Sequence, residues 1–151
     1  MKICMLPVVS GERAEFLEMA AQYFSELNSA FVPEDDWKKH YFEDILGNRQ
    51  YFLRWIMCEQ RRAGFILFGV ENHRFLRRKT GVIYELYVLR EFRREGVARI
   101  CAAEAIRELW THSPSKIQLE VVDGDTAAVA LWKSLGFEKA TERFVLTRGK
   151  L

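Results

Sequence analysis

Residues 84–109, YELYVLREFRREGVARICAAEAIREL, constrain the fold more than any other stretch of this chain. An apolar run from Gly81 to Leu89 reads as a strand, and a helical pattern runs from Gly96 to Thr111. Both faces of the strand are largely apolar, which predicts a central position in a sheet. Between strand and helix lies a short basic turn that ends at Gly96. Such a hand-over leaves several N–H groups pointing out of the helix N-terminus, where the helix dipole favours an anion. Gly96 lets the backbone approach a phosphate without a Cβ in the way, Ala98 is the next smallest choice, and Arg93, Arg94 and Arg99 add charge. The same spacing also suits an ordinary capped helix with a solvated basic turn.

The remaining elements arrange themselves around that unit. Lys2–Val9 reads as a first strand. Phe16, Leu17, Ala20, Tyr23, Phe24 and Leu27 form one helix face, and Trp37, Tyr41 and Ile45 form a second after Pro33. Glu34, Asp35 and Asp36 suit that second helix's positive end. Tyr51–Glu59 and Ala63–Val70 read as a hairpin around Gln60-Arg61-Arg62. Beyond the long helix come a strand at Lys116–Val122, a helix at Asp125–Leu135 and a terminal pair of strands, Phe137–Thr141 and Phe144–Arg148. The expected fold is α/β (α+β): one domain over residues 1–151, with a mixed, mostly antiparallel sheet flanked by about four helices. The terminal strands could pair in a homodimer.

A chain of 151 residues with 49% hydrophobic and 13% aromatic content fits one well-packed domain. A net charge of +2 argues against a nucleic acid partner, and the basic loop ENHRFLRRKT reads as solvated. Cys4, Cys58 and Cys101 lack metal-ligand spacing and sit in apolar segments, as buried reduced thiols do, and no metal is expected. No apolar run approaches membrane-spanning length, and a cytoplasmic protein without membrane contact is expected. His40, His73 and His112 are scattered and read as surface or packing residues.

REFRREGVAR resembles the acetyl-CoA signature of the GNAT superfamily of N-acetyltransferases, Arg/Gln-x-x-Gly-x-Gly/Ala, here Arg93-x-x-Gly96-x-Ala98. A second stretch, DTAAVALWKSLGF, resembles the family's later helix, with Asp125 in the Asn position, Ala128 as the small residue and Gly136-Phe137 as the stop. The two motifs together imply a GNAT fold and acetyl transfer from acetyl-CoA to an amine. The resemblance places the CoA pyrophosphate on the backbone amides of Arg94, Glu95, Gly96, Val97, Ala98 and Arg99. It places the pantetheine arm along Leu86, Tyr87 and Val88, with the amide near Leu86 donating to the oxyanion.

One departure bears on mechanism. The family's later helix carries a tyrosine that protonates the leaving thiolate, and here that position is Trp132. An indole N–H is too weak an acid for that step, so the proton would come from water, from the product ammonium, or from Tyr84 or Tyr87. The general base is expected to be Glu85, a carboxylate on an apolar central strand where burial raises its pKa. A pairing of Glu85 with a neighbouring arginine is its alternative, and Glu120 is the reserve base. Glu34, Trp37, Tyr84 and Glu120 are assigned to the acceptor. The wording YVLREFRREGVA is similar to small-molecule acetyltransferases, aminoglycoside-modifying ones included, which implies a small-molecule amine. Acetylation of a protein N-terminus or lysine, and a CoA-binding sensor without turnover, are the alternatives.

Overall fold

The computed structural model describes residues 1–149. The chain divides into two compact units, Met1–Glu120 and Val121–Leu151.

The first unit holds a five-stranded sheet in the order β1-β2-β3-β4-β5. Its strands are β1 (Ile3–Pro7), β2 (Tyr51–Cys58), β3 (Arg61–Asn72), β4 (Lys79–Val88) and β5 (Lys116–Leu119). Neighbours from β1 to β4 are antiparallel and β5 runs parallel to β4, so the sheet is mixed and mostly antiparallel, with β4 between β3 and β5. The β2–β3 turn is Glu59-Gln60, one residue earlier than the sequence suggests. Both residues have positive φ (48° and 69°), the twist that a two-residue hairpin requires.

Two helices, α1 (Arg13–Leu27) and α2 (Asp35–Leu46), cover one face of the sheet. Phe16 and Ala20 of α1 and Phe42 and Ile45 of α2 meet Leu53, Trp55, Phe65, Leu67 and Tyr87 in one buried cluster. The start of α1 is tied down by Glu12, whose carboxylate accepts from the Val9 amide at 2.9 Å, from Trp55 Nε1 at 3.1 Å and from Arg62. α3 (Val97–Trp110) buries Val97, Cys101, Ala102, Ala105 and Leu109, a stripe at helical spacing. It packs against β1, β3 and β4. Gly81 of β4 lies under Leu109, where an added Cβ would come within 3.5 Å of the leucine side chain. Cys58 and Cys101 are buried as expected, while Cys4, near the start of the edge strand β1, is exposed. Edge strands bury less than central ones, and the apolar character of the segment does not reveal which kind it is.

The second unit contains α4 (Thr126–Ser134), capped by Asp125. The expected strands at Phe137–Thr141 and Phe144–Arg148 are not formed, and neither run belongs to a ladder. Phe144, Val145 and Leu146 are consecutive and 89%, 75% and 70% exposed, so the run has no alternation that would give a single face to bury. A two-stranded ribbon without such a face is marginal in water. Among the described residues no helix is long and apolar enough to cross a membrane.

Candidate active site

The site is organised by an irregularity in β4. Its ladder with β3 pairs Phe68 with Ile83 and then Leu67 with Glu85, so Tyr84 is an extra residue on the β4 side. In an unbroken strand, neighbouring side chains point to opposite faces. At this bulge Tyr84 and Glu85 instead line one cavity of about 280 Å³, together with Tyr41, Asp44 and Ile45 of α2, Tyr51 of β2 and Leu67 of β3. The only charged side chains in that lining are two carboxylates, Glu85 and Asp44. A larger hollow of about 480 Å³ lies within the turn from Asn72 to Lys79 and is lined by that turn alone.

Burial raises the pKa of Glu85, and a hydrogen bond from the Tyr23 hydroxyl to Oε2 opposes the rise. Among the described residues no arginine forms an ion pair with it. Tyr84 donates to Glu71 Oε1 at 2.7 Å, and burial together with this bond makes its phenol a weaker acid than a free tyrosine. Tyr41 is likewise shifted upward by burial and by the nearby Glu85. Tyr87 faces the α1 side, where burial and Glu26 push its phenol up to about 12. Tyr84 and Tyr87 therefore hold their protons more tightly than ordinary tyrosines. That weakens both as substitutes for a general acid.

The edge of β4 next to this cavity is open. Its pairing with β5 ends at Ile83–Leu119, although β4 continues to Val88. Leu86, Tyr87 and Val88, the residues expected to meet a pantetheine arm, thus lie on a stretch that β5 leaves unpaired. The turn that follows suits a pyrophosphate. Gly96 has φ 79°, a Cβ built there would meet no atom within 4 Å, and as the N-cap of α3 it brings no side chain of its own to the first amides. Val97 is buried and Ala98 half-buried, while Arg94, Glu95 and Arg99 are exposed and Arg94 itself has φ 66°. Arg93 plays a different part from the one its position in the motif suggests. Its Nε donates to the Val88 carbonyl at 2.7 Å and its terminal nitrogen bonds Glu26 at 2.9 Å, so it buckles the turn to the end of β4 and to α1.

The acceptor residues read from the sequence are only partly assembled. Tyr84 lines the cavity, whereas Glu34, Trp37 and Glu120 do not. Glu34 is the exposed residue before α2, and Trp37 packs against Phe31 and Tyr41 with centroids at 5.4 and 5.1 Å. α2 reaches the cavity one and two turns later, through Tyr41 and Asp44. Glu120 follows β5 and is exposed. Tyr23 was legible in the sequence only as part of an apolar helix stripe. The hydroxyl on that stripe was the one available signal that it does more. The histidines stay outside: His40 pairs with Asp36 at 3.6 Å, His73 Nδ1 accepts two amides of its own turn, and His112 stacks on Phe52.

In the second unit, the Asp125 carboxylate accepts from the Ala128 amide at 3.0 Å, an ordinary N-cap. Trp132 is 8% exposed and packs edge-on against Phe137 at 5.6 Å.

Comparison with known proteins agrees with this geometry. Residues 14–137 match the family model of the acetyltransferase (GNAT) family. A ribosomal protein bS18 alanine N-acetyltransferase of Salmonella typhimurium strain LT2 is 32% identical over 107 residues, which span 71% of this chain and 68% of the relative. Among solved structures, a transcriptional regulator from Bacillus halodurans C-125 superposes with a TM-score of 0.80 at 14% identity, over 97% of this chain and 99% of the other. An aminoglycoside acetyltransferase from an uncultured soil metagenomic sample, in complex with sisomicin, gives 0.76 at 14% identity, over 96% and 95%. The open strand edge, the glycine turn and the match over most of the chain make this protein a member of the GNAT family, an acetyl-CoA-dependent N-acetyltransferase.

Proposed function

We propose that the enzyme acetylates a primary amine of a small cationic molecule held in the cavity beside Glu85, with Glu85 as the general base. The observation that carries this reading is the cavity lining: two carboxylates, three tyrosines and no cation, on the strand whose edge is open. Acetyl-CoA supplies the acetyl thioester. The backbone of Leu86, Tyr87 and Val88 and the amides of Arg94 through Arg99 are the groups of this chain that would hold it. Asp125, Ala128 and Trp132 stand in the proposal on the sequence resemblance alone. An amine enters as an ammonium and cannot attack until it loses a proton. Glu85 and Asp44 attract the cation, and Glu85 takes the proton, directly or through one water. Burial of Glu85 brings its basicity closer to that task than an exposed carboxylate would be. The tyrosine walls present aromatic faces and hydroxyl acceptors suited to a cation.

The aminoglycoside acetyltransferase among the structural neighbours supports a small polyamine or aminosugar acceptor. The bS18-alanine acetyltransferase relative favours a second reading, in which the acceptor is the N-terminal amine of a protein. Release of CoA thiol should be followed with acetyl-CoA and three acceptors: sisomicin, spermidine and a peptide with an N-terminal alanine. Turnover on sisomicin or spermidine, lost in Glu85→Gln, supports the first reading. Turnover on the peptide alone replaces it with the second.

A further inference from the structure

We propose that Tyr23 is a positioning residue for this reaction, its hydroxyl bonded to Oε2 of Glu85 so that the carboxylate stays ionised and keeps one orientation. This rests on the reading of Glu85 as base, and it assigns a task to a residue of α1 that the cavity lining does not include.

The argument starts from the surroundings of Glu85. Its neighbours are Tyr23 of α1, Tyr41 and Asp44 of α2, Tyr51 of β2 and Tyr84 of its own strand, while β3 contributes the apolar Leu67. None of these is a cation. A half-buried carboxylate in such surroundings, with a second carboxylate at the same cavity, tends to take up a proton, and a protonated Glu85 accepts none from an ammonium. A hydroxyl that donates to the charged form works against this, because the bond is stronger to a carboxylate than to a neutral acid. The Tyr23 hydroxyl is the donor that does so here. With Oε2 engaged, Oε1 is the oxygen left to receive a proton.

The geometry also makes the donor rigid. The ring of Tyr23 meets Phe65 edge-on at 5.6 Å, Phe24 at 5.0 Å and Tyr87 at 5.3 Å. Phe65 and Tyr87 face each other across the β3–β4 ladder, and Leu67 and Glu85 form the next pair on the same side. The ring is thus seated on the same two strands that carry the base. A hydroxyl held this firmly fixes the carboxylate rotamer as well as its charge. Packing alone would be served equally by phenylalanine, so the hydroxyl is the informative atom.

The test uses protein labelled with carbon-13 at glutamate carboxyls and titrated by NMR, with the Glu85 signal identified by its absence in Glu85→Gln. Tyr23→Phe keeps the ring contacts and removes only the donor. The Glu85 titration is expected to move upward by about one pH unit or more in Tyr23→Phe. A Glu85 pKa unchanged in a folded Tyr23→Phe protein overturns the proposal. Thiol release by Glu85→Gln on the acceptor found above is measured alongside. If that variant turns over like the wild type, the base reading fails and the role of Tyr23 fails with it. If Glu85→Gln is inactive while Tyr23→Phe leaves the Glu85 titration in place, only the role of Tyr23 falls.

Discussion

Tyr84 and Glu85 are adjacent in the chain and line the same cavity, because the ladder between β3 and β4 skips one residue at Tyr84. Without the skip, Glu85 would face Ile66 and lie on the α3 side of the sheet. The bulge therefore decides that the carboxylate meets the α1–α2 side, where the cavity is. Tyr84→Ala removes one wall of the cavity and is expected to raise KM for the amine several-fold while leaving the acetyl-CoA Kd within twofold. Tyr84→Phe loses the bond to Glu71, worth about 1 kcal/mol, and the long contact from Gln50 Nε2 at 3.5 Å, and should retain most of the activity. Steady-state kinetics on both variants, with calorimetry for acetyl-CoA, checks the pair. An unchanged KM in Tyr84→Ala would remove Tyr84 from the acceptor site.

Glu85 should cost the fold stability at neutral pH. Burial raises its folded pKa above the ordinary value of 4.5, so between that value and the raised one the folded state binds the proton more strongly than the unfolded state does. Stability then falls as pH rises through that window. Glu85→Gln is expected to have the higher Tm at pH 7–8, with the difference shrinking below about pH 4.5. The same variant should lose about a hundredfold or more in kcat, the range of a general base. A variant that is less stable than the wild type at pH 7 contradicts the burial argument.

Gly96 stands in left-handed backbone at φ 79° with open space where a side chain would project. Gly96→Ala should cost about 1–2 kcal/mol of stability, the strain of a Cβ in that conformation. Asparagine tolerates it better, so Gly96→Asn should show a smaller fall in Tm. Both should weaken acetyl-CoA binding at least tenfold, because the added side chain projects where the turn's amides are open. Acetyl-CoA affinity in Gly96→Asn equal to wild type would show that the turn is not the phosphate site.

Arg93 and Arg94 are neighbours with opposite expected phenotypes. Arg93 is engaged with the Val88 carbonyl and with Glu26, so Arg93→Ala should lower stability by about 1–2 kcal/mol. Arg94 is exposed with positive φ, and Arg94→Ala should leave Tm almost unchanged and weaken acetyl-CoA, more so at low salt. Thermal melts and titrations at two ionic strengths separate the two roles. A stable Arg93→Ala protein with weakened cofactor binding would return Arg93 to the phosphate.

The turn at Gly96, the helix after it, the order of the elements through α4 and the central place of β4 were all readable from the chain, because each depends on interactions within a few residues. A glycine at a strand-to-helix hand-over, a stripe at helical spacing and an apolar run are local statements about φ, ψ and one buried face. Local pattern also misled: Phe144–Arg148 has strand composition, but composition does not supply a partner strand. What only the tertiary structure decided is who meets whom. The bond from Tyr23 to Glu85 spans 62 residues of sequence, and it exists because α1 packs on the face to which a bulge turns Glu85. Likewise, α2 brings Tyr41 and Asp44 to the cavity instead of Glu34 and Trp37, since the height at which a helix crosses a sheet is set by side-chain packing in the core. The sequence by itself determined which residues could do the chemistry. The packing register between α1, α2 and β4 determined which of them stand together.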